Sequence, residues 1–207
     1  MAARAPSKWV FINCPFDPAY QPLFRAIVFA IHDCGFIARS ALEVSDSGEV
    51  RMQKILRIIN ECALGIHDIS RTELDGTTHL PRFNMPLELG LFLGAKHFGD
   101  ARNKKKACLI LDRDLRRYEK FISDIKGQDI QGHDKDAGKA IEVVRDWLDG
   151  KTKGDTILPD GSAIARRYAV FVRQLPTICS TLKLKAAKLT FKNYVQVVVR
   201  WLKRSPR

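Results

Sequence analysis

The sequence predicts an α/β protein: a flavodoxin-like parallel sheet of four or five strands, helices on both faces, and a basic helical extension at the C-terminal end. Three observations carry that expectation. Short runs of β-branched and aromatic residues without polar alternation, such as Trp-Val-Phe-Ile-Asn at 9–13 and Ala-Cys-Leu-Ile-Leu at 107–111, read as strands buried on both faces. The segments between them carry apolar residues at helical spacing, and an alternating order of strand and helix favours a mainly parallel sheet. The net charge of +12 is unevenly placed, because residues 151–207 hold 13 Lys and Arg against Asp155 and Asp160 alone. The expected division is an α/β domain over 1–149 and a basic extension over 150–207.

After the strand at 9–13 comes the corner Cys-Pro-Phe-Asp-Pro. Residues 20–34 then place Leu23, Phe24, Ile27, Val28 and Ile31 on one helical face, with Gly35 as the stop. Residues 36–42 form a weaker strand and 45–48 a loop, followed by a helix over 50–61 with Met52, Ile55, Leu56 and Ile59 on its apolar side. Residues 63–69 return to a strand, 70–80 form a polar loop, and 82–96 form the central helix ahead of the strand at 107–111. Further on, 118–125 reads as a short helix, 127–133 as a loop or fifth strand, and 137–148 as a helix. The glycine-rich stretch 150–161 is the linker, and 162–182 and 190–203 are helices, the last with an apolar stripe through Tyr194, Val198 and Trp201.

Composition excludes several classes. At 207 residues, 45% hydrophobic and 28% charged, the chain has the balance of a globular protein, and no apolar run approaches the ~20 residues of a membrane span. The start, Met-Ala-Ala-Arg-Ala-Pro-Ser-Lys, lacks the apolar core of a signal peptide, so a cytoplasmic protein is expected. Five scattered cysteines without metal-ligand spacing read as buried thiols, and no metal or cofactor is expected. Neither glycine-rich phosphate loop, nucleophile elbow, nor His pair at helical spacing is present.

The residue that calls for explanation is Glu88, the one carboxylate in the central helix Arg-Phe-Asn-Met-Pro-Leu-Glu-Leu-Gly-Leu-Phe-Leu-Gly-Ala-Lys. Asn84 is the expected N-cap and Pro86 fits the first turn, which puts Glu88 in that turn with Leu91, Phe92 and Ala95 as neighbours. Two readings are compatible. Glu88 caps the helix start, or it points into a cleft as a partly desolvated group poised for chemistry. Ligands of open parallel sheets bind beyond the carboxyl ends of the strands. Those ends hold Asn13, Cys14, Phe16 and Asp17 after the first strand, Glu43 and Asp46 after the second, Asp68 and Ser70 after the third, and Asp112 after the fourth. So many carboxylates make a poor phosphate cradle and a plausible seat for a sugar or a cationic ring. His67, inside a strand, reads as a hydrogen-bonded core residue before it reads as a base, and His133, in a polar loop, is a somewhat better base.

These residues carry a resemblance. Phe-Ile-Asn-Cys-Pro-Phe-Asp is similar to the opening of the nucleoside 2-deoxyribosyltransferases. Asp68, the loop Leu74-Asp75-Gly76-Thr77, and Met-Pro-Leu-Glu-Leu-Gly resemble that family's Asp followed by a Glu-Leu-Gly helix. TIR domains share the layout, with a catalytic Glu early in the helix after the third strand. The resemblance spans 8–112 and implies cleavage of an N-glycosidic bond, with NAD or a related nucleotide as substrate and no cofactor. It makes Glu88 the nucleophile or the stabiliser of an oxocarbenium ion, and gives Asp68 or Asp17 the ribose hydroxyls or the proton on the leaving base. Asn13, Cys14, Pro15 and Phe16 would line the substrate with Asp46, Ser70, Phe83, Asn84 and Met85, the two Phe rings as aromatic walls. Kinship further implies a homo-oligomer and a role as a nucleotide-depleting effector in bacterial antiviral defence. The long polar loop before Glu88 and the basic tail depart from both groups.

Two other readings stand beside it: a nucleoside deoxyribosyltransferase, and a non-catalytic nucleotide-sensing module. For the tail, Arg166, Arg167, Lys183, Lys185 and Lys188 are the expected contacts to nucleic acid or an acidic protein. Against that, a basic helix face is often merely solvated, and Phe171, Tyr194 and Trp201 fit a core better than a base-stacking platform.

Overall fold

The computed structural model describes residues 6–43, 46, 48–74, 76, 79–152 and 154–205. Ser45 and Ser47 of the expected 45–48 loop, Asp75 and Thr77 of the acidic loop, and Arg207 lie outside them. The protein is α/β, with one five-stranded parallel sheet in the order β2-β1-β3-β4-β5. The strands are β1 (Trp9–Asn13), β2 (Ile37–Ser40), β3 (Leu64–Asp68), β4 (Ala107–Asp112) and β5 (Ile130–Gly132). The helices are α1 (Gln21–Asp33), α2 (Arg51–Glu61), α3 (Asn84–Phe98), α4 (Ala137–Asp149), α5 (Gly161–Thr181) and α6 (Phe191–Arg204).

Strand alternation assigns the faces. Val10, Ile12, Leu64, Ile66, Leu109 and Leu111 join α1 and α4 in the largest core cluster, whereas Phe11 meets Ile55, Ile58 and Phe92 of α2 and α3 on the other side. With β1 feeding β2 on one side and β3 on the other, right-handed crossovers put α1 on the first face and α2 and α3 on the second. Two short 3-10 turns, Arg117–Lys120 and Ser123–Ile125, stand where 118–125 reads as a helix. They pack Tyr118 and Ile125 against Met85, Leu89 and Ile110. Gly65 permits the close approach of α3, since a Cβ there would lie 2.7 Å from His67 Nε2 and 2.8 Å from the Phe92 ring.

α2 ends on a buried lysine. Lys106, 3% exposed, donates from Nζ to the carbonyls of Ile59 (2.6 Å) and Cys62, which the helix itself leaves unpaired. Lys106→Met, close in length but without donors, strands both carbonyls and is expected to cost about 2–4 kcal/mol in urea unfolding. An unchanged midpoint would show that the carbonyls are satisfied by water.

The two C-terminal helices complete the core of the α/β body. Phe171 of α5 and Trp201 of α6 pack on Phe29 of α1 at ring-centroid distances of 5.3 and 5.8 Å, and Phe191 stacks on Phe24. Polar ties fix the layer: Arg167 Nε donates to Asp33 Oδ2 (2.9 Å), Tyr194 Oη to the Arg25 carbonyl (2.9 Å), and Arg25 Nη2 to the Ala186 carbonyl (2.9 Å). The glycine-rich linker is held too, because Arg145 on α4 donates to the carbonyls of Leu158 and Pro159. Among the described residues no helix is long and apolar enough to cross a membrane.

Candidate functional site

The crevice between the C-terminal ends of β1 and β3 is where strand order reverses, and the candidate residues divide between its two sides. Asp68 shares the alternation of Ile66 and faces α1; Asn13 and His67 share that of Phe11 and face α3. Asp68 and Glu88 therefore occupy opposite faces of the sheet, with Cys14 between them.

On the α1 side Asp68 is completely buried. Its Oδ1 accepts from the Ser70 amide at 2.8 Å and its Oδ2 from the Tyr20 hydroxyl. His133, 1% exposed, comes from the β5–α4 turn, and its Nδ1 accepts from the Lys135 amide (3.0 Å), so in the neutral ring Nε2 carries the proton. That Nε2 lies 2.9 Å from Asp68 Oδ2 but is poorly aligned for a hydrogen bond, leaving a mainly electrostatic contact. Asp68 and His133 thus form one buried polar cluster with Tyr20 and Ser70. Asp68→Asn would turn an amide donor toward the Tyr20 hydroxyl and the His133 N–H. It is expected to cost about 2–4 kcal/mol, and a double-mutant cycle with His133 should show coupling. Additive effects would mean that the pair does not interact.

A cavity of about 270 Å³ opens beside this cluster, lined by Tyr20, Ser70, Arg71, Arg113, His133 and Lys135 among others. Arg71 forms a two-pronged pair with Asp17 at 2.7 and 3.2 Å. Partial burial opposes ionisation of Asp17, but the Arg71 bonds outweigh it and hold this carboxyl below its usual range. Arg113 pairs with Glu73 and Asp114. Asp112, fully buried at the end of β4, is raised by burial, against which its bond from Arg117 works; its Oδ2 has no partner among the described residues.

On the α3 side Asn13 Nδ2 donates to the Met85 carbonyl at 2.8 Å and faces His67 Nδ1 at 3.1 Å, which ties the first turn of α3 to the end of β1. Burial pushes His67 down to about 3, so it is a neutral packing residue against Phe11 and Phe92. The helix begins one residue earlier than the capping pattern expects. Phe83 is the N-cap, Asn84 is the first helical residue, and no side chain caps the start. Glu88 is consequently the fifth helical residue, two positions past the one from which a Glu caps the start. It sits with Met85, Leu89 and Phe92 on the buried stripe of the helix.

Glu88 is 7% exposed, and no hydrogen bond reaches it from the described residues. Burial raises its pKa to about 7, with the Arg51 charge at the start of α2 pulling the other way. Cys14 lies close by: its thiol is pushed well up by burial, and further by the charges of Asp68, Glu88 and Asp17. It is an inert thiol at neutral pH.

Pro15 is buried, and Phe16 is half-buried with its ring edge-on to Phe24 at 5.6 Å, part of the α1-side packing. Phe83 is 60% exposed and Asn84 is exposed, so neither walls the crevice as the structure stands. Asp46 is exposed and accepts from the Gly48 amide at 2.8 Å. The structure thus brings Asn13, Cys14, Met85 and Glu88 together, and Asp68 with Ser70, Tyr20 and His133 separately. Tyr20, Arg51 and Arg71 are the residues the sequence did not single out. Tyr20 was hidden as the apparent first residue of a helix and Arg51 as one of several cations on a polar face. In the tail, Arg166, Lys183, Lys185 and Lys188 are exposed, while Arg167 is committed to Asp33 and the Ser205 carbonyl.

Comparison with protein-family models gives no match, and no curated protein matches the chain.

Proposed function

We propose that the protein is an N-glycosidase that cleaves NAD or a related nucleotide, with Glu88 as the carboxylate that meets the anomeric carbon. The observation that carries this reading is Glu88 itself, a buried carboxyl near Cys14 at the end of β1, with no hydrogen-bond donor among the described residues. Such a group is costly to ionise by itself and is relieved by a positive charge brought against it. A pyridinium nucleotide supplies that charge, first on the leaving ring and then on the sugar as the bond breaks. The C1′–N bond electrons pass to the ring nitrogen and neutral nicotinamide departs. The oxocarbenium ion is stabilised or captured by Glu88, and water completes hydrolysis with loss of a proton. Asn13 fixes the start of α3 and so the depth of Glu88; the motif resemblance supports the same assignment.

The test is release of free base from NAD, a ribonucleoside and a deoxynucleoside, followed by chromatography over a concentration series of the protein, with Glu88→Gln alongside. Release from NAD that rises with protein self-association and vanishes in the variant is the expected result. The rate should fall about tenfold per pH unit below pH 7, because the working form is the ionised carboxylate. Base release from nucleosides alone would move the assignment to a transferase, and NAD binding without release would make the crevice a sensor.

A further inference from the structure

We propose that the outer surface of α5, α6 and the turn between them is a docking surface for the phosphate backbone of double-stranded DNA, read without regard to sequence. The inference does not depend on the chemistry at Glu88.

The two helices spend their apolar faces inward and their charge outward. On α6, Phe191, Tyr194, Val198 and Trp201 are buried against α1 and α5, while Lys192, Arg200, Lys203 and Arg204 are exposed. On α5, Ile164, Phe171 and Leu175 are buried, and Arg166 and Arg173 project from the opposite side at a spacing of two turns. The connecting turn adds Lys183, Lys185 and Lys188, all exposed. From Gly161 onward the sequence contains no Asp or Glu, and none of these cations is in an ion pair among the described residues. Several arginines of the body are instead neutralised locally, as Arg57 is by Glu49 and Glu61, Arg71 by Asp17 and Arg113 by Glu73. A surface that only needs to be soluble does not omit every counter-charge over two helices; one that displaces condensed cations from a polyanion does.

The same packing selects the polyanion. Phe171, Tyr194 and Trp201 are buried in the core, and the half-buried Tyr168 ring is packed on Phe29, so these helices present no open aromatic platform on which unpaired bases could stack, which disfavours single strands. Large apolar exposure on these helices is confined to Val172 and Leu182, too little to enter a lipid surface as an amphipathic anchor does. The surface is made of two rigid, convex helices. Lys192 to Lys203 extends ~17 Å along α6, which matches about five base pairs. A convex helix fits the broad major groove of B-form DNA, whereas A-form RNA closes that groove.

The test is fluorescence anisotropy of the full chain with a 20-base-pair mixed-sequence DNA duplex between 50 and 200 mM salt. If about six phosphates are contacted, affinity falls ~10³-fold over that range, with a log–log slope near −5. The triple reversal Lys192→Glu, Arg200→Glu, Lys203→Glu is expected to weaken binding by at least ~10-fold. A matched reversal on the body, Lys104→Glu, Lys105→Glu, Lys120→Glu, is expected to leave it within about twofold. Equal losses in both triples, absence of binding at 50 mM salt, or tighter binding of the single strand or of duplex RNA would each overturn the proposal. So would displacement of DNA by polyglutamate at equal charge, which would point to an acidic protein. Glu88→Gln should bind DNA as the unaltered chain does, so failure here leaves the glycosidase reading standing, and the reverse.

Discussion

Glu88→Gln is expected to raise the thermal midpoint at pH 8 while reducing base release by ~10²–10⁴-fold. In the unfolded chain this carboxyl titrates as an ordinary glutamate, near ~4.3, whereas in the fold burial holds it at about 7. Over that interval the folded state keeps a proton that the unfolded state releases. The resulting stability is fully present below the unfolded pKa and is lost as pH rises through 7. The penalty at pH 8 is on the order of 3 kcal/mol, and a neutral side chain escapes it. For a chain of this size the midpoint of the variant, relative to the original, should be roughly 5–10 °C better at pH 8 than at pH 5. The cost of burying an unpaired amide is the same at both pH values and cancels. Equal shifts at both would mean that the carboxyl is solvated or paired, which would remove the physical basis for its role.

The second large effect concerns the junction of the helical layers. Phe171→Ala should destabilise the entire protein by about 3–5 kcal/mol, since the ring is fully buried among Phe29, Tyr194 and Trp201 and nothing can collapse into its place. Truncation after Gly150 strips the α5 and α6 cover from Phe24 and Phe29 while leaving α4 in place, and is expected to leave an aggregating chain, given the 5–15 kcal/mol that holds a typical domain together. Urea unfolding followed by far-UV dichroism and by tryptophan fluorescence decides the matter: coincident single transitions for Phe171→Ala show one cooperative unit. A separate early phase carrying the signal of α5 and α6 alone would make the layer independent. Charge reversals, and not deletion, are therefore the means of probing the basic surface.

The strands and most helices were legible because each is short and periodic, and their order fixed a parallel sheet. Which residues meet across that sheet was not. Asp68 and Glu88 read as partners because both follow the third strand, yet the parity of Asp68 with Ile66 sends it toward α1 while α3 lies beneath. That outcome follows only once the strand order 2-1-3-4-5 is known. Asn84 read as a cap from residue type; in the structure Phe83 is the N-cap and the first turn is tied down instead by Asn13 on the Met85 carbonyl, a contact between residues 72 apart in sequence. Glu88 stood out as the lone carboxylate of an apolar helix, and its burial agrees with that pattern. Composition located the start of the basic segment at the linker. Composition could not say that the aromatic stripes of α5 and α6 close over Phe24 and Phe29.

That closure has a bearing on synthesis. α1 is apolar on nearly every side, and its outer cover is encoded more than a hundred residues later. At ordinary elongation rates, the ribosome needs on the order of ten seconds to travel from one to the other. Throughout that time Phe29 lacks the cover that α5 and α6 give it in the folded protein. The closure of α5 and α6 over Phe24 and Phe29 is thus a contact of long sequence separation, available only after the sheet strands have been made.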